Sequence, residues 1–443
     1  MNNNLNFKIN HLSLFKFALP TMLANVFMSI YSTVDGIFVS NYVGTDALSA
    51  VNIFMPFVMI VLALGTMIGT GGSAVVAAQL GEGKERHAKE NFSMLCVVCT
   101  AFCIIASALS FVFRKPLLYF LGANDVIFDY CLDYAMPLLF VAPVALLGMA
   151  LQTFFIAAGK PGLGMSFSVA GGALNIFLDW LLVGKLGMEC TGAALATGLG
   201  YSVPGILGIL YFISARKGTL YFVKPKWRGN VLLKTVINGS SEMVAMVATG
   251  ITSVMMNNII MDIEGEDGVA AISILIYAMT LLTSVYMGYA LGVAPVTSYN
   301  HGADNRENLK KSHRINLSFI AIMSVVMYAL GFVLRDSIIS VFADEGTRVY
   351  EMAQNGYMIF SISFLYMGFN MYGSSFFTAL GDGKTSAIIS FCRGLIFLSA
   401  ALYALSYFFG LNGLFAAMPS AEAFGIALTI FYLKKLKGKY GYA

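Results

Sequence analysis

Residues 12–39, LSLFKFALPTMLANVFMSIYSTVDGIFV, carry a single lysine, Lys16, and a single carboxylate, Asp35, in an otherwise uncharged run. A helix needs about 20 mainly apolar residues to cross a bilayer, because backbone groups find no water there. The apolar core of a secretory leader spans only about 7–15 residues. Lys8 and Lys16 imitate the basic flank of such a leader, but the run reads as a retained first transmembrane helix. Eleven similar runs follow, over 47–79, 91–113, 130–158, 162–183, 189–213, 232–260, 268–300, 312–334, 350–380, 384–408 and 411–433. Several exceed one membrane thickness and so tilt or project into water.

Composition agrees. The chain has 443 residues, of which 58% are hydrophobic and 11% charged, with a mean hydropathy of +0.77. Soluble domains carry about 25% charged residues, so lipid must be the solvent. Of the six cysteines, Cys96, Cys99 and Cys103 repeat at helical spacing. With no His or carboxylate among them to complete a four-ligand site, they read as small packing residues and no structural metal is expected.

Charge orients the chain. With the N-terminus inside, most of the 27 basic residues fall in inside segments, against Arg114, Lys115, Lys185, Arg335 and Arg348 outside. One missed helix would scramble this positive-inside asymmetry. The expectation is a multi-pass protein of the cell membrane with both termini cytoplasmic. The net charge of +4 then belongs to a surface facing anionic lipid headgroups. Nucleic acid is excluded as a partner, because no basic cluster is interleaved with aromatics.

The halves echo each other at an offset of roughly 221 to 224 residues. Phe154-Phe155-Ile156-Ala157-Ala158-Gly159-Lys160 parallels Phe376-Phe377-Thr378-Ala379-Leu380-Gly381-Asp382, and Arg114-Lys115-Pro116 parallels Arg335-Asp336-Ser337. Six helices per half is an even number, so both halves enter the membrane in the same direction, as in parallel-repeat transporters. The expected organisation is an all-α integral membrane protein of twelve helices: a six-helix bundle over 1–213, a linker over 214–231, and a second bundle over 232–443.

With these motifs in place, the sequence resembles the multidrug and toxic compound extrusion (MATE) family over nearly its whole length. The resemblance rests on Pro20 with Ser32-Thr33-Val34-Asp35-Gly36, on Gln79-Leu80-Gly81-Glu82-Gly83 and its basic loop, on Asn175-Ile176-Phe177-Leu178-Asp179, and on Gly192-Ala193-Ala194-Leu195-Ala196-Thr197. It implies a V-shaped pair of bundles that alternates access and exports organic cations or amphiphiles in exchange for protons or sodium. It also implies ion or proton coupling in the N-terminal bundle, with Asp35, Asn175, Asp179 and Thr197 at the matching positions. Sodium, if used, would sit at Asp35, Asn175 and Asp179. Sodium-coupled members use further carboxylates in the C-terminal bundle, but here the span 350–380 has no acidic residue after Glu351, which puts the proton first.

The residues speak for themselves beside this. A carboxylate at mid-bilayer costs on the order of 2.5–3.5 kcal/mol, so Asp35 must face a cavity or a partner. Proton and cationic substrate can compete for such a group. The bland alternative is a polar network that only orients helices. Asp179 follows Asn175 by one turn, so both share a face, and an amide accommodates a carboxylate in either protonation state; the bland role is helix-end capping. Glu242 either draws cations towards a vestibule or is simply solvated near headgroups. Arg393, deep in a span, pairs with Glu422 at similar depth as a structural pair. Phe154, Tyr277, Met255, Met256 and Tyr366 are expected in an adaptable wall along the substrate path, although most such residues are ordinary packing.

No cofactor is expected, since Gly81-Glu82-Gly83-Lys84 lacks the spacing of a nucleotide-binding loop. The partners expected are small cationic or amphiphilic molecules and membrane lipids, with a single chain as the working unit. The alternatives are a lipid or lipid-linked saccharide flippase, which favours a more basic cavity, and a membrane-embedded enzyme, which the scattered His11, His87, His301 and His313 do not favour.

Overall fold

The structure, a computed structural model, describes residues 5–42, 45–216 and 218–442, with side chains throughout except over 32–42 and 45–48. Described elements are all helical: α1 His11–Tyr42, α2 Thr45–Gly81, α3 Glu85–Val112, a short α4 Arg114–Leu121, α5 Phe128–Ala157, α6 Pro161–Leu178, α7 Glu189–Ser214, α8 Gly229–Gly302, α9 Arg306–Ile339, α10 Arg348–Phe360, α11 Phe364–Ala379, α12 Gly383–Phe391 and α13 Leu398–Tyr440. Nine helical stretches among the described residues are long and apolar enough to cross a membrane. Two of them are double, because α8 is interrupted at Gly265 (φ 68°, ψ −150°) and α13 at Gly410 (φ 57°, ψ −133°). One more long stretch joins α10 to α11 through a 3-10 turn at Ser361–Ser363. Among the described residues the long helical segments are consistent with the twelve expected spans.

The internal repeat has a backbone counterpart. After α5, Gly159 (φ 71°) donates to the Ile156 carbonyl at 2.9 Å and Lys160 N to Phe155 O at 2.8 Å. After α11, Gly381 (φ 76°) donates to Thr378 O at 3.0 Å and Asp382 N to Phe377 O at 2.9 Å. This left-handed helix stop suits glycine, which has no Cβ to clash. Both halves also wind their next helix into a π-helical stretch, Asp179–Lys185 after α6 and Cys392–Phe397 after α12.

The chain forms two compact units, but their border differs from the expected one. Residues 23–239 belong to the first, and residues 7–22 join 240–443 in the second. Helix contacts explain both shifts. The first turns of α8 lie hard against α2: a Cβ at Gly239 would sit 1.9 Å from the Met67 carbonyl oxygen, and one at Gly71 would sit 2.1 Å from that of Thr235. The start of α1 packs on the later part of α8, where a Cβ at Gly288 would meet Met22 Cα at 2.5 Å. The segment 218–228 is pinned to α3 within the first unit, Val223 N donating to Ser93 Oγ at 2.9 Å.

Small residues set helix approach in membranes, where packing replaces the hydrophobic drive. Gly239→Ala therefore forces α2 and α8 apart and lowers stability by about 1–3 kcal/mol, the usual cost of overpacking. Thermal unfolding of the detergent-solubilised protein measures it; an unchanged melting temperature contradicts the close approach.

Candidate functional site

In the first unit, α6 presents Ser168, Gly172, Asn175 and Asp179 at spacings that keep them on one face. Asn175 is 2% exposed and Asp179 is fully buried. Helical winding loosens at Asp179, whose N–H still donates to the Asn175 carbonyl. Such π-helical turns recur at functional sites, because they displace one residue from regular register. α7 comes close enough that a Cβ at Gly200 would lie 2.7 Å from Asn175 Cβ. Thr197, one turn earlier on α7, is buried.

Both polar atoms of the Asn175 amide are buried without a hydrogen-bond partner among the described residues. Alongside runs a cavity of about 20 Å³ lined by Tyr31, Gln152, Ser168, Gly172 and Tyr201, room for about one water. Residues 175, 179 and 197 are thus drawn to one helix interface. The carboxylate, amide and hydroxyl oxygens there suit a proton or a hard cation. Asp35 lies on α1, but its side chain falls outside the described residues. No cluster of three or more His, Cys, Asp or Glu able to hold a metal occurs among the described residues.

The second unit builds a different polar centre. Arg393, in its π-helical stretch, donates to Glu422 Oε1 at 3.0 Å. Glu422 is 2% exposed, and its other oxygen accepts from Asn370 Nδ2 at 2.6 Å. That amide also donates to the Glu422 carbonyl at 2.9 Å, and its oxygen accepts from Thr429 Oγ1 at 3.0 Å. Arg393 also acts electrostatically on the half-buried Glu242 of α8. Next to it runs a chain of hydroxyls, Ser390 to Ser374, Ser374 to Ser386 and Ser386 to Thr378, each at 2.8 Å.

Asn370, Thr429 and these hydroxyls were not singled out from sequence. A signal existed: Asn370, Ser374 and Thr378 recur every four residues on α11, and Ser386 and Ser390 do so on α12.

Of the residues expected in an adaptable wall, two are deeply buried. Phe154 is fully buried, edge-on to Phe92 at 5.0 Å, and Met256 is 3% exposed in the hydrophobic core. Tyr277 is 49% exposed, stacked on Phe342 at 5.7 Å. Met255 packs on the same core as Met256, and Tyr366 is half-buried.

The family model described as MatE matches residues 20–181 and 242–402. The chain is similar to the multidrug export protein MepA of Staphylococcus haemolyticus, 24% identical over 433 residues, 96% of this chain and 93% of that one. It is also similar to a protein of Shewanella oneidensis named as an FAD transporter, 24% identical over 430 residues, 95% and 93% of the two chains. In fold it matches a MATE protein crystallised in complex with MaD3S, with TM-score 0.91 and 20% identity over 99% of both chains. An outward-facing multidrug resistance MATE family transporter of the MOP superfamily matches with TM-score 0.90 and 20% identity over 97% and 96%.

Removing one member of a buried ion pair leaves the other charge stranded, at about 3–5 kcal/mol. Glu422→Ala should lose stability in that range, and adding Arg393→Ala should return part of the loss. A double-mutant cycle on thermal or denaturant unfolding reads the coupling; additive losses contradict the pairing.

Proposed function

This chain belongs to the MatE family, and we propose that it is a secondary active exporter of cationic or amphiphilic small molecules driven by protons, with Asp35, Asn175, Asp179 and Thr197 as its coupling residues. Relatives named as multidrug export proteins align with it over nearly their whole length, which supports the substrate class. Transport in this family is ion-coupled antiport without a cofactor, so an enzymatic role is not favoured. By the charge rule both termini face the cytoplasm, and a single chain is the working unit.

The observation that carries the coupling site is the Asn175 amide, buried one turn from Asp179 with neither polar atom paired among the described residues. Leaving a buried polar group unpaired costs about 1–3 kcal/mol. Such a cost persists where the group gains its partner in another state, here through the ion or proton that visits Asp179. Moving one charge down the membrane potential supplies about 2.3 kcal/mol per 100 mV, enough to reset the pair between inward and outward forms.

Proton rather than sodium is favoured by the second unit. Its buried Glu422 already has a tethered cation in Arg393, and the same guanidinium acts on Glu242. A sodium ion arriving there would have to displace that cation. Coupling then rests on the first unit, where a carboxyl and an amide tolerate a changing proton. The arrangement of charge gives less support to a lipid-linked saccharide flippase, since the deep arginine is neutralised.

Proteoliposomes with separately imposed proton and sodium gradients test the proposal. Export of a cationic dye should follow the proton gradient alone. Asp179→Asn and Asp35→Asn should each slow it by about 5–150-fold, the span of a coupling free energy of ~1–3 kcal/mol. Equal export by these variants at every pH removes the residues from the mechanism, and export driven by sodium alone replaces the proton.

A further inference from the structure

The start of α3 and the segment leading into α8 enclose a groove of about 710 Å³, lined by Arg86, Lys89, Tyr221, Lys224 and Lys226 together with Glu85 and Glu90. It lies within the first unit, away from the coupling residues. One carboxylate organises it. Glu90 is 4% exposed and receives Arg228 Nη2 at 2.7 Å, Arg86 Nε at 3.2 Å and Lys226 Nζ at 3.4 Å. Lys89 reaches Glu85 at 3.8 Å and sits over the Tyr221 ring at 4.5 Å. Lys224 is exposed and makes no ion pair among the described residues.

Five cations are thus gathered around two carboxylates. Like charges held this close repel, and a single shared carboxylate cannot neutralise three of them. The fold nevertheless fixes them in place. Phe222 stacks on Phe92 at 5.0 Å, Val223 is bonded to Ser93, and the Arg228 guanidinium also reaches Asn91 Oδ1 at 3.0 Å. A rigid groove with surplus positive charge and free N–H donors is built to receive an anion.

The surroundings say which anion. Trp227, 72% exposed, stands beside the groove, as amphipathic aromatics do at the headgroup level of a membrane. Farther along α3, Val97, Ala101, Ile104 and Ala108 recur on the helix face that carries Arg86 and Glu90, all exposed. Polar, phosphate-seeking groups at one end of a helix, with a bare apolar stripe continuing from them, fit a molecule with a charged head and hydrocarbon chains. A free phosphate or a nucleotide has no use for the stripe. The groove also lies at the end of the bundle where basic residues collect, the cytoplasmic face by the charge rule, where anionic lipids attract such segments.

We infer that this groove is a specific site for the phosphate-bearing headgroup of an anionic glycerophospholipid. Lys224 and Lys226 meet the phosphate, Arg86 and Lys89 flank it, and Trp227 anchors the segment at the interface.

The test uses purified full-length protein, delipidated in detergent and titrated with phosphatidylglycerol, phosphatidylcholine or inorganic phosphate, with bound lipid counted by native mass spectrometry. The wild type should retain phosphatidylglycerol in preference to phosphatidylcholine. Lys224→Ala with Lys226→Ala should reduce that preference roughly thirtyfold, from about 1 kcal/mol for each lysine near the surface. Lys224→Glu, which disturbs no ion pair, should reduce it as well and guards against misfolding of the double variant. Lys434→Ala with Lys435→Ala, the same charge removed at the end of α13, should leave it unchanged. Equal retention by the groove variants overturns the site, as does an equal loss in the α13 variant. Displacement of the lipid by inorganic phosphate at matched concentration overturns the lipid assignment in favour of a free anion.

Discussion

A backbone amide in hydrocarbon has no water to turn to, and each unpaired one costs several kcal/mol. The chain answers with helices over most of its described length, broken at glycines, at short turns and by the non-helical segment 218–228. Gly265 and Gly410 interrupt α8 and α13, and left-handed stops at Gly159 and Gly381 close the same turn in each half. The same constraint acts on side chains. A polar group inside a span must meet another or face a cavity.

The second unit balances its charges internally. Glu422, Arg393, Asn370 and Thr429 exchange hydrogen bonds between 2.6 and 3.0 Å, which leaves Glu422 fully partnered and ties α11 to α13. The network is not complete, since Arg393 Nε is buried without a hydrogen-bond partner among the described residues. The first unit leaves the Asn175 amide without a partner among the described residues, beside a buried carboxylate and a cavity the size of one water. The two halves thus surround their buried polar residues differently. Both use a π-helical stretch in the equivalent helix to place the charged residue, Asp179 in one and Arg393 in the other.

Much of this was legible in the residues. The i, i+4 spacing of Asn175 and Asp179 placed them on one face before any coordinates, and depth alone suggested Arg393 opposite Glu422. Other features were not. Asn370 reads as one more polar residue in α11 until α13 brings Glu422 to it from 52 positions away. Phe154 and Met256 read as suitable for an adaptable wall because composition does not say which face of a helix is covered. The border between the compact units follows the first turns of α8, whose glycines let them onto α2, and no periodicity marks that contact.

What the sequence by itself determined is everything set by local chemistry: the twelve apolar segments, the repeat, the charge asymmetry of their loops and the spacing of polar residues along each helix. Tertiary structure alone decided which faces meet, and so which polar groups are partnered. It paired Asn370 with Glu422, left Asn175 without a partner among the described residues, and folded the segment before α8 onto Glu90 so that scattered lysines and arginines became one groove. The physical reason is range. Helix formation and solvation act over a few neighbouring residues, whereas a hydrogen bond or an ion pair between helices exists only after packing has brought distant segments within about 3 Å.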